Sequence, residues 1–288
     1  MPELPEVETV ARGLRPVIVG RRIVSVALGK TDFMDDPAAI EEQLPGRRIE
    51  AVERYGKFLL LRLSARNVDG APAALMVHLG MTGHLAALAA AQPWGKHTHA
   101  CFVLDDGREL RYTDPRRFGR MALFTEAALA VEVAPLGADP LEVGEAEFCE
   151  RIRSRGARIK ALLLDQHVLR GVGNIYADES LWRARIHPAQ TGARLTRAQA
   201  AELRRTLQEI LRRAIALRGS SISDYLDAEG RQGEYQRRHR AYGREGKPCP
   251  RCKAAIRRMV VAGRSSFFCP RCQRAPRRRR RGRAKRAG

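Results

Sequence analysis

Pro2-Glu-Leu-Pro-Glu-Val-Glu-Thr-Val-Ala-Arg-Gly-Leu14 opens a chain of 288 residues and reads as a helix. Prolines stand at its start, acids fill its first turns, and Val7, Val10 and Leu14 recur at spacings of three and four. At 100° per residue from Glu3, Glu6 falls at about −60°, Val7 at about +40°, Val10 at about −20° and Leu14 at about +20°. Glu3 and Glu6 therefore share the apolar face, whereas Glu8, Arg12 and Arg15 fall at about 120–180° on the other side. Complementing the helix dipole explains Glu8 well and Glu3 and Glu6 poorly. Carboxylates continuing a buried stripe lose water, so unless paired or hydrogen-bonded they rise toward the range of general acids. Beside them Pro2 becomes the terminal residue if Met1 is removed, as a small second residue permits. A free α-amine has a reference pKa of about 7.7–8.0, so part of it is unprotonated at neutral pH. A secondary amine attacking a sugar C1′ can proceed to an iminium. A proline at a helix start is equally read as just that.

Charge points to the partner. Lys and Arg number 53 against 32 Asp and Glu, a net +21. Eight of the bases lie between Arg277 and Arg286 with no acid among them; without them the body still carries +13. A basic folded surface suits phosphate neutralisation with strong salt dependence. No stretch approaches the roughly 18 apolar residues of a membrane span, and Glu3, Glu6 and Glu8 stand where a signal peptide would be positive and then apolar. The expectation is a cytoplasmic, nucleoid-associated protein.

From Gly20 to about Phe124, short runs such as Arg22–Ala27, Phe58–Leu63, Leu75–His78 and Ala100–Leu104 alternate with Gly, Pro and Asp, the pattern of a β-sandwich or barrel. Between Arg120 and Arg151 there are seven acids and no Lys or Arg, and Pro135, Gly137, Pro140 and Gly144 interrupt any long element: a domain boundary facing away from DNA. Glu145–Arg153, Ile159–Leu164, Ile175–Arg185 and Thr196–Leu217 then show helical periodicity. A polar stretch from about Asp227 to Arg240 leads to the cysteines. The fold class is α+β, divided into a β-sandwich domain (1–134), a linker (135–145), a helical region that runs through the polar stretch (146–240), the cysteine-bearing zinc finger (241–274) and a basic tail (275–288).

Cys249-x2-Cys252 and Cys269-x2-Cys272 are separated by sixteen residues, the arrangement of two knuckles around one tetrahedral Zn2+. Four thiolates leave no open position, so the metal stabilises the fold and performs no chemistry. Between the knuckles Arg258, Arg264, Ser265 and Ser266 lie on a short hairpin, presented to DNA or simply solvated.

The run Met1-Pro-Glu-Leu-Pro-Glu-Val-Glu-Thr9 closely resembles the N-terminus of bacterial formamidopyrimidine-DNA glycosylases. The resemblance continues through Tyr55-Gly-Lys57-Phe58, His78-Leu-Gly-Met81-Thr-Gly83, Tyr112-Thr-Asp-Pro-Arg116-Arg-Phe118-Gly119, Gly171-Val-Gly-Asn174-Ile-Tyr176, Tyr242-Gly-Arg244 and Gly263-Arg264. It implies an N-terminal β-sandwich flanked by helices, a helix–two-turn–helix module and a C-terminal β-hairpin zinc finger, with double-stranded DNA containing oxidised bases or abasic sites in the cleft between the halves. It further implies monomeric action: attack of Pro2 on C1′, expulsion of an oxidised purine such as 8-oxoguanine or a formamidopyrimidine, and β,δ-elimination.

By the same resemblance Glu3 assists at the deoxyribose, Glu6 organises the site and Lys57 and Arg264 complete its catalytic set. Met81, Arg116 and Phe118 form an intercalating group, and His97, Arg116, Lys160, Asn174, Tyr242 and Arg264 contact DNA. Read without it, Met81 and Phe118 default to core residues and Lys57 to a strand-edge charge. Gly171 and Gly173 before Asn174 suit a backbone that approaches a phosphate closely. Leu4, where endonuclease VIII carries glycine, and the stretch Gly230–Arg240, implied to fold over a flipped 8-oxoguanine, look like the purine branch. Tyr235 stands where Phe is typical, and His239 and Ala241 replace more apolar residues. Two other readings stand beside this one: an oxidised-pyrimidine glycosylase like endonuclease VIII, and a non-catalytic zinc-ribbon nucleic-acid-binding protein. The latter accounts for the charge and the cysteines but not for acids on an apolar face.

Overall fold

A computed structural model describes residues 1–66, 70–90, 92–222 and 225–275, so the basic run Arg277–Arg286 lies outside the described residues. The first helix, α1 (Leu4–Ile18), extends a turn beyond the expected Leu14 because Ile18 also faces the core.

The strand-rich half is a sandwich of two antiparallel four-stranded sheets. One, in the order β1-β6-β7-β5, comprises β1 (Ile23–Leu28), β5 (His84–Ala89), β6 (Thr98–Leu104) and β7 (Arg108–Thr113). The other, in the order β2-β3-β4-β8, comprises β2 (Ile49–Tyr55), β3 (Phe58–Leu63), β4 (Ala73–His78) and β8 (Arg120–Thr125). A short helix, α2 (Pro37–Gln43), packs at the edge. β4 is buried on both faces: its inner face meets the sandwich core and Ala74 and Met76 on the outer face meet Leu129 of α3 (Glu126–Val133). The acid-rich boundary thus contains a helix that the sequence reading placed no element in. Its glycines and prolines gather after residue 134, which leaves eight residues free to coil.

The second half packs α4 (Glu145–Arg153), α5 (Ile159–Leu164), α6 (Asn174–Arg183) and α7 (Arg197–Ala216) around one core, close to the expected spans. Thr196 starts α7 through a reciprocal cap with Gln199. The cysteine segment forms a hairpin of β9 (Arg257–Val261) and β10 (Arg264–Phe268), whose small core includes Trp182 of α6. No helix among the described residues is long and apolar enough to cross a membrane.

α1 belongs to both large cores. Val7, Val10, Leu14 and Ile18 sit in the sandwich core, while Leu4 packs with the helical core. Opposite this face, Glu8 does more than complement the helix dipole. It is buried and holds Arg12 at 2.8 Å and the buried Arg54 at 3.1 Å. Arg54 reaches on to Asp139 at 2.8 Å, so an acid of the supposed linker is tied back to β2. Truncating Leu4 to Ala removes a fully buried anchor between the halves; urea denaturation should show a loss of about 2–5 kcal/mol.

Candidate active site and DNA interface

A cleft of about 640 Å³ gathers Pro2, Glu3, Lys57, Met81, Asn174, Tyr242 and Arg264, seven of the expected site residues from both halves and the finger. It is also lined by Met1, Ser220, Ile222 and Tyr225. Glu6 is only 1% exposed and lies beneath.

The carboxylate of Glu3 fixes the centre. It accepts the backbone N–H groups of Gly173 at 3.0 Å, Ile175 at 2.9 Å and Tyr176 at 3.4 Å, the orphan donors at the start of α6. Gly173 is required here, since a β-carbon on it would stand 2.3 Å from the Glu3 carboxyl carbon. The backbone donors that the sequence offered to a phosphate are thus taken here by the protein's own carboxylate, while Asn174 lines the cleft. Burial pushes the Glu3 pKa up, against the pull of Lys57 and the backbone donors.

Glu6 accepts the Glu3 N–H at 2.9 Å on Oε2, and on Oε1 the Tyr176 hydroxyl at 2.5 Å and the Ser220 N–H at 2.7 Å. Burial, then the neighbouring Glu3, push its pKa up to about 7. The two acids predicted to continue the apolar stripe are therefore buried and fully hydrogen-bonded. Lys57 follows Gly56 in the tight turn between β2 and β3, and Gly56 takes a positive φ of 62° there. Burial depresses the ammonium pKa, Glu3 supports it and Arg264 opposes it.

The expected intercalating group lies at the rim. Met81 is 39% exposed and Phe118 55%, so neither is a core residue, and the Arg116 guanidinium stacks on the Phe118 ring at 4.5 Å. Sequence reasoning missed the residue that holds them. Asp114, fully buried, accepts the Thr82 hydroxyl at 2.5 Å, the Arg116 N–H at 3.1 Å, the Gly119 N–H at 3.1 Å and the Tyr112 hydroxyl at 3.1 Å. It ties the Met81 turn to the Arg116–Phe118 turn. Its own N–H bonds the carbonyl of His97, which places His97 beside this knot rather than in the cleft. An acid between Thr113 and Pro115 was the available signal.

Lys160 requires a correction. It has no exposed surface, so it cannot touch DNA in this structure; its ammonium pairs with Asp178 at 2.7 Å and donates to the Ser265 carbonyl at 2.7 Å. Asp178 also accepts the Phe267 N–H at 2.9 Å. Together they fasten β10 to α6 and leave Arg264, at the start of that strand, exposed toward the cleft. The next residue of α6, Glu179, accepts the N–H groups of Arg240, Ala241 and Tyr242, each at 2.9 Å, and so sets Tyr242. Arg258, the other finger arginine, is engaged by Ser265 and Glu245.

Gly230–Arg240 does not enter the cleft either. Gly230 lies with Gly13 and His84 around a separate hollow, and Tyr235 is buried against Tyr176. Among the described residues, those of this loop at the cleft are Ser220, Ile222 and Tyr225. At the finger, the four cysteine Sγ atoms all lie within 4.8 Å of one another. A tetrahedral zinc with Zn–S near 2.3 Å needs Sγ atoms roughly 3.8 Å apart, so the four thiols fit one structural Zn2+.

Comparison with known proteins agrees along the chain. Residues 1–121 match the family model described as formamidopyrimidine-DNA glycosylase N-terminal domain, 136–225 the formamidopyrimidine-DNA glycosylase H2TH domain, and 246–275 a zinc finger found in FPG and IleRS. The formamidopyrimidine-DNA glycosylase of Chloroflexus aggregans is 47% identical over 273 residues, covering 93% of this chain and 96% of that protein. A variant of Lactococcus lactis FPG bound to Fapy-dG-containing DNA superimposes with a TM-score of 0.87 at 34% identity, covering 95% of this chain and all of that one. The wild-type Lactococcus lactis protein with DNA containing an oxidised pyrimidine gives 0.85 at 34% identity, over the same share of each chain.

Four substitutions separate the roles assigned by this geometry. Gly173→Ala forces the Glu3 carboxylate away from α6 and should slow single-turnover excision by about 100-fold, with DNA affinity retained in fluorescence anisotropy. Lys160→Met should weaken DNA binding by loosening the finger yet leave the slope of log K against log salt unchanged, whereas Lys57→Ala or Arg264→Ala should flatten it by about 0.9.

Proposed function

The chain belongs to the formamidopyrimidine-DNA glycosylase family, and on that premise we propose how its cleft removes an oxidised purine from duplex DNA and cleaves the strand. It is a DNA glycosylase of base excision repair with accompanying AP lyase activity, carrying one structural Zn2+.

Extruding the damaged nucleotide costs a few kcal/mol of stacking and pairing, and the vacated space must be filled. Met81 and Phe118 enter the stack as wedges, and Arg116, braced on Phe118, meets the orphaned base. Lys57, Arg264, Asn174 and Tyr242 hold the backbone of the lesion strand. Ser220, Ile222 and Tyr225 form the wall against which the extruded base rests.

Met1 is half-exposed at the cleft mouth, and its removal frees the Pro2 amine. The unprotonated amine attacks C1′ and the base leaves with the glycosidic electron pair. Loss of the N–H proton and opening of the sugar at O4′ give the iminium, with Glu3 serving O4′ as acid and base. A raised carboxylate pKa suits that exchange at neutral pH, and three backbone donors still keep the charged form available. Abstraction of a C2′ proton from the iminium expels the 3′-phosphate by β-elimination, and δ-elimination expels the 5′-phosphate. The zinc performs no step; it holds the hairpin that carries Arg264. A basic body that binds duplex DNA is expected to reside on the nucleoid.

The observation that supports this reading best is the meeting of Pro2, Glu3, Lys57 and Arg264, from three separate parts of the chain, in one cleft. With duplex DNA bearing 8-oxoguanine opposite cytosine, borohydride should trap a covalent complex with processed wild-type protein and none with Pro2→Ala. An undiminished adduct from a processed Pro2→Ala protein rejects the proline mechanism, and faster excision of a ring-saturated thymine than of 8-oxoguanine would shift the substrate class to pyrimidines.

A further inference from the structure

Glu6 is connected to a histidine outside the cleft. The Tyr176 hydroxyl donates to Glu6 Oε1 at 2.5 Å; Tyr176 Oη lies 3.4 Å from Ser220 Oγ; Ser220 Oγ lies 3.1 Å from His239 Nε2. Tyr176 is fully buried and Ser220 nearly so, while His239 is half-buried and does not line the cleft. The imidazole is held edge-on between the rings of Tyr235 and Tyr242, at 5.7 and 5.6 Å. Its Nδ1 has no partner among the described residues, and the ring as a whole is only half-buried.

Hydrogen accounting leaves this row two arrangements. Each hydroxyl carries one hydrogen, so all three contacts can be satisfied only if every hydrogen points the same way. With Glu6 ionised, His239 Nε2–H donates to Ser220, Ser220 to Tyr176 and Tyr176 to Glu6. With Glu6 protonated, the carboxyl donates to Tyr176, Tyr176 to Ser220 and Ser220 to His239 Nε2, the ring then bearing its hydrogen on Nδ1. One arrangement becomes the other when a proton enters at His239 Nδ1 and each member passes its own hydrogen one place along. Imidazolium and carboxylate become neutral imidazole and carboxylic acid; no proton is created or lost.

We propose that His239 is the water-side end of a proton wire, through Ser220 and Tyr176, that exchanges the proton of Glu6 while DNA fills the cleft. This rests on the reading of Glu6 as part of the catalytic site. Glu6 matters to Pro2 through a short path: its Oε2 accepts the N–H of Glu3, the amide joined to the Pro2 carbonyl. A charge at Glu6 favours the protonated Pro2 amine, and neutralising it releases the nucleophile. Among the described residues, the groups facing Glu6 are Glu3 at the start of its own helix, Tyr176 on α6, Tyr225 beyond Ser220 and, at longer range, Lys57; those facing His239 are Ser220, Tyr235 and Tyr242. Burial lowers the His239 pKa to about 4 while Glu6 stands at about 7, so the histidine passes a proton without retaining it.

The test uses the processed full-length protein in single-turnover excision of 8-oxoguanine from pH 5 to 9, with wild type, His239→Gln, His239→Ala and Glu6→Gln. Both His239 variants should slow excision on the order of tenfold, below the 10²–10⁴ of a group that transfers the proton in the transition state itself, with unchanged DNA affinity and melting temperature. Imidazole in the buffer should restore the alanine variant. Glutamine keeps a hydrogen bond to Ser220 but cannot relay a proton, so a fully active His239→Gln with an unaltered pH profile overturns the wire. Normal behaviour of every His239 variant beside a slow Glu6→Gln also overturns it. If Glu6→Gln is itself as fast as wild type, the role of Glu6 fails, and the wire with it.

Discussion

The Glu3 carboxylate against the first turn of α6 is the contact on which the rest of the structure depends. A carboxylate cannot be stripped of water without replacement partners, and here the replacements are the backbone donors that every helix leaves unsatisfied at its start. The acid comes from the first residues of the chain and the donors from residues about 170 positions later. The contact therefore joins the two halves and creates the site in one act. Leu4, buried in the helical core, and Gly173, bare of any side chain, are what allow it.

From that point α6 distributes order to the remainder of the site. Its start holds Glu3, its middle holds the finger through Asp178 and the Tyr242 segment through Glu179, and its end supplies Trp182 to the core beside the cysteines. Buried acids inside a helix would be costly alone. Each is offset by a lysine or by several backbone donors, which accept only one geometry. The zinc continues this logic at the far end. Four thiolates close the hairpin, and Lys160 fastens its inner strand to the helix, so Arg264 is carried on a short and braced lever.

The rim is built differently. Met81 and Phe118 remain exposed, at a cost in hydrophobic surface that an ordinary monomer avoids, while Asp114 beneath them is wholly buried and satisfied. The turns are rigid at their base and apolar at their tips. That combination suits insertion between stacked bases, because little is left to be ordered when DNA arrives.

Much of this is legible in the residues themselves. Periodicity locates four of the eight sandwich strands and the four helices of the second half, cysteine spacing marks the zinc site, and the angular positions of Glu3 and Glu6 put both acids on a buried face. These are local properties, written in intervals of two, three or four residues. Partners are not written there. Gly173 reads as a phosphate cradle because a bare helix start serves any anion, and only the fold reveals that Glu3 occupies it. Lys160 is assigned to DNA by resemblance alone, and only the fold reveals that it is buried against Asp178. The Asp114 knot, the grip of Asp178 on the finger, that of Glu179 on the Tyr242 segment, and the meeting of Ser220 with His239 are likewise invisible, since no local pattern encodes which groups will meet. What the sequence determined by itself was the periodic elements, the four zinc ligands and the buried face that carries Glu3 and Glu6; tertiary structure alone decided what satisfies the buried groups, because an unmet charge or donor in the interior is paired by whichever segment the fold brings within about 3 Å.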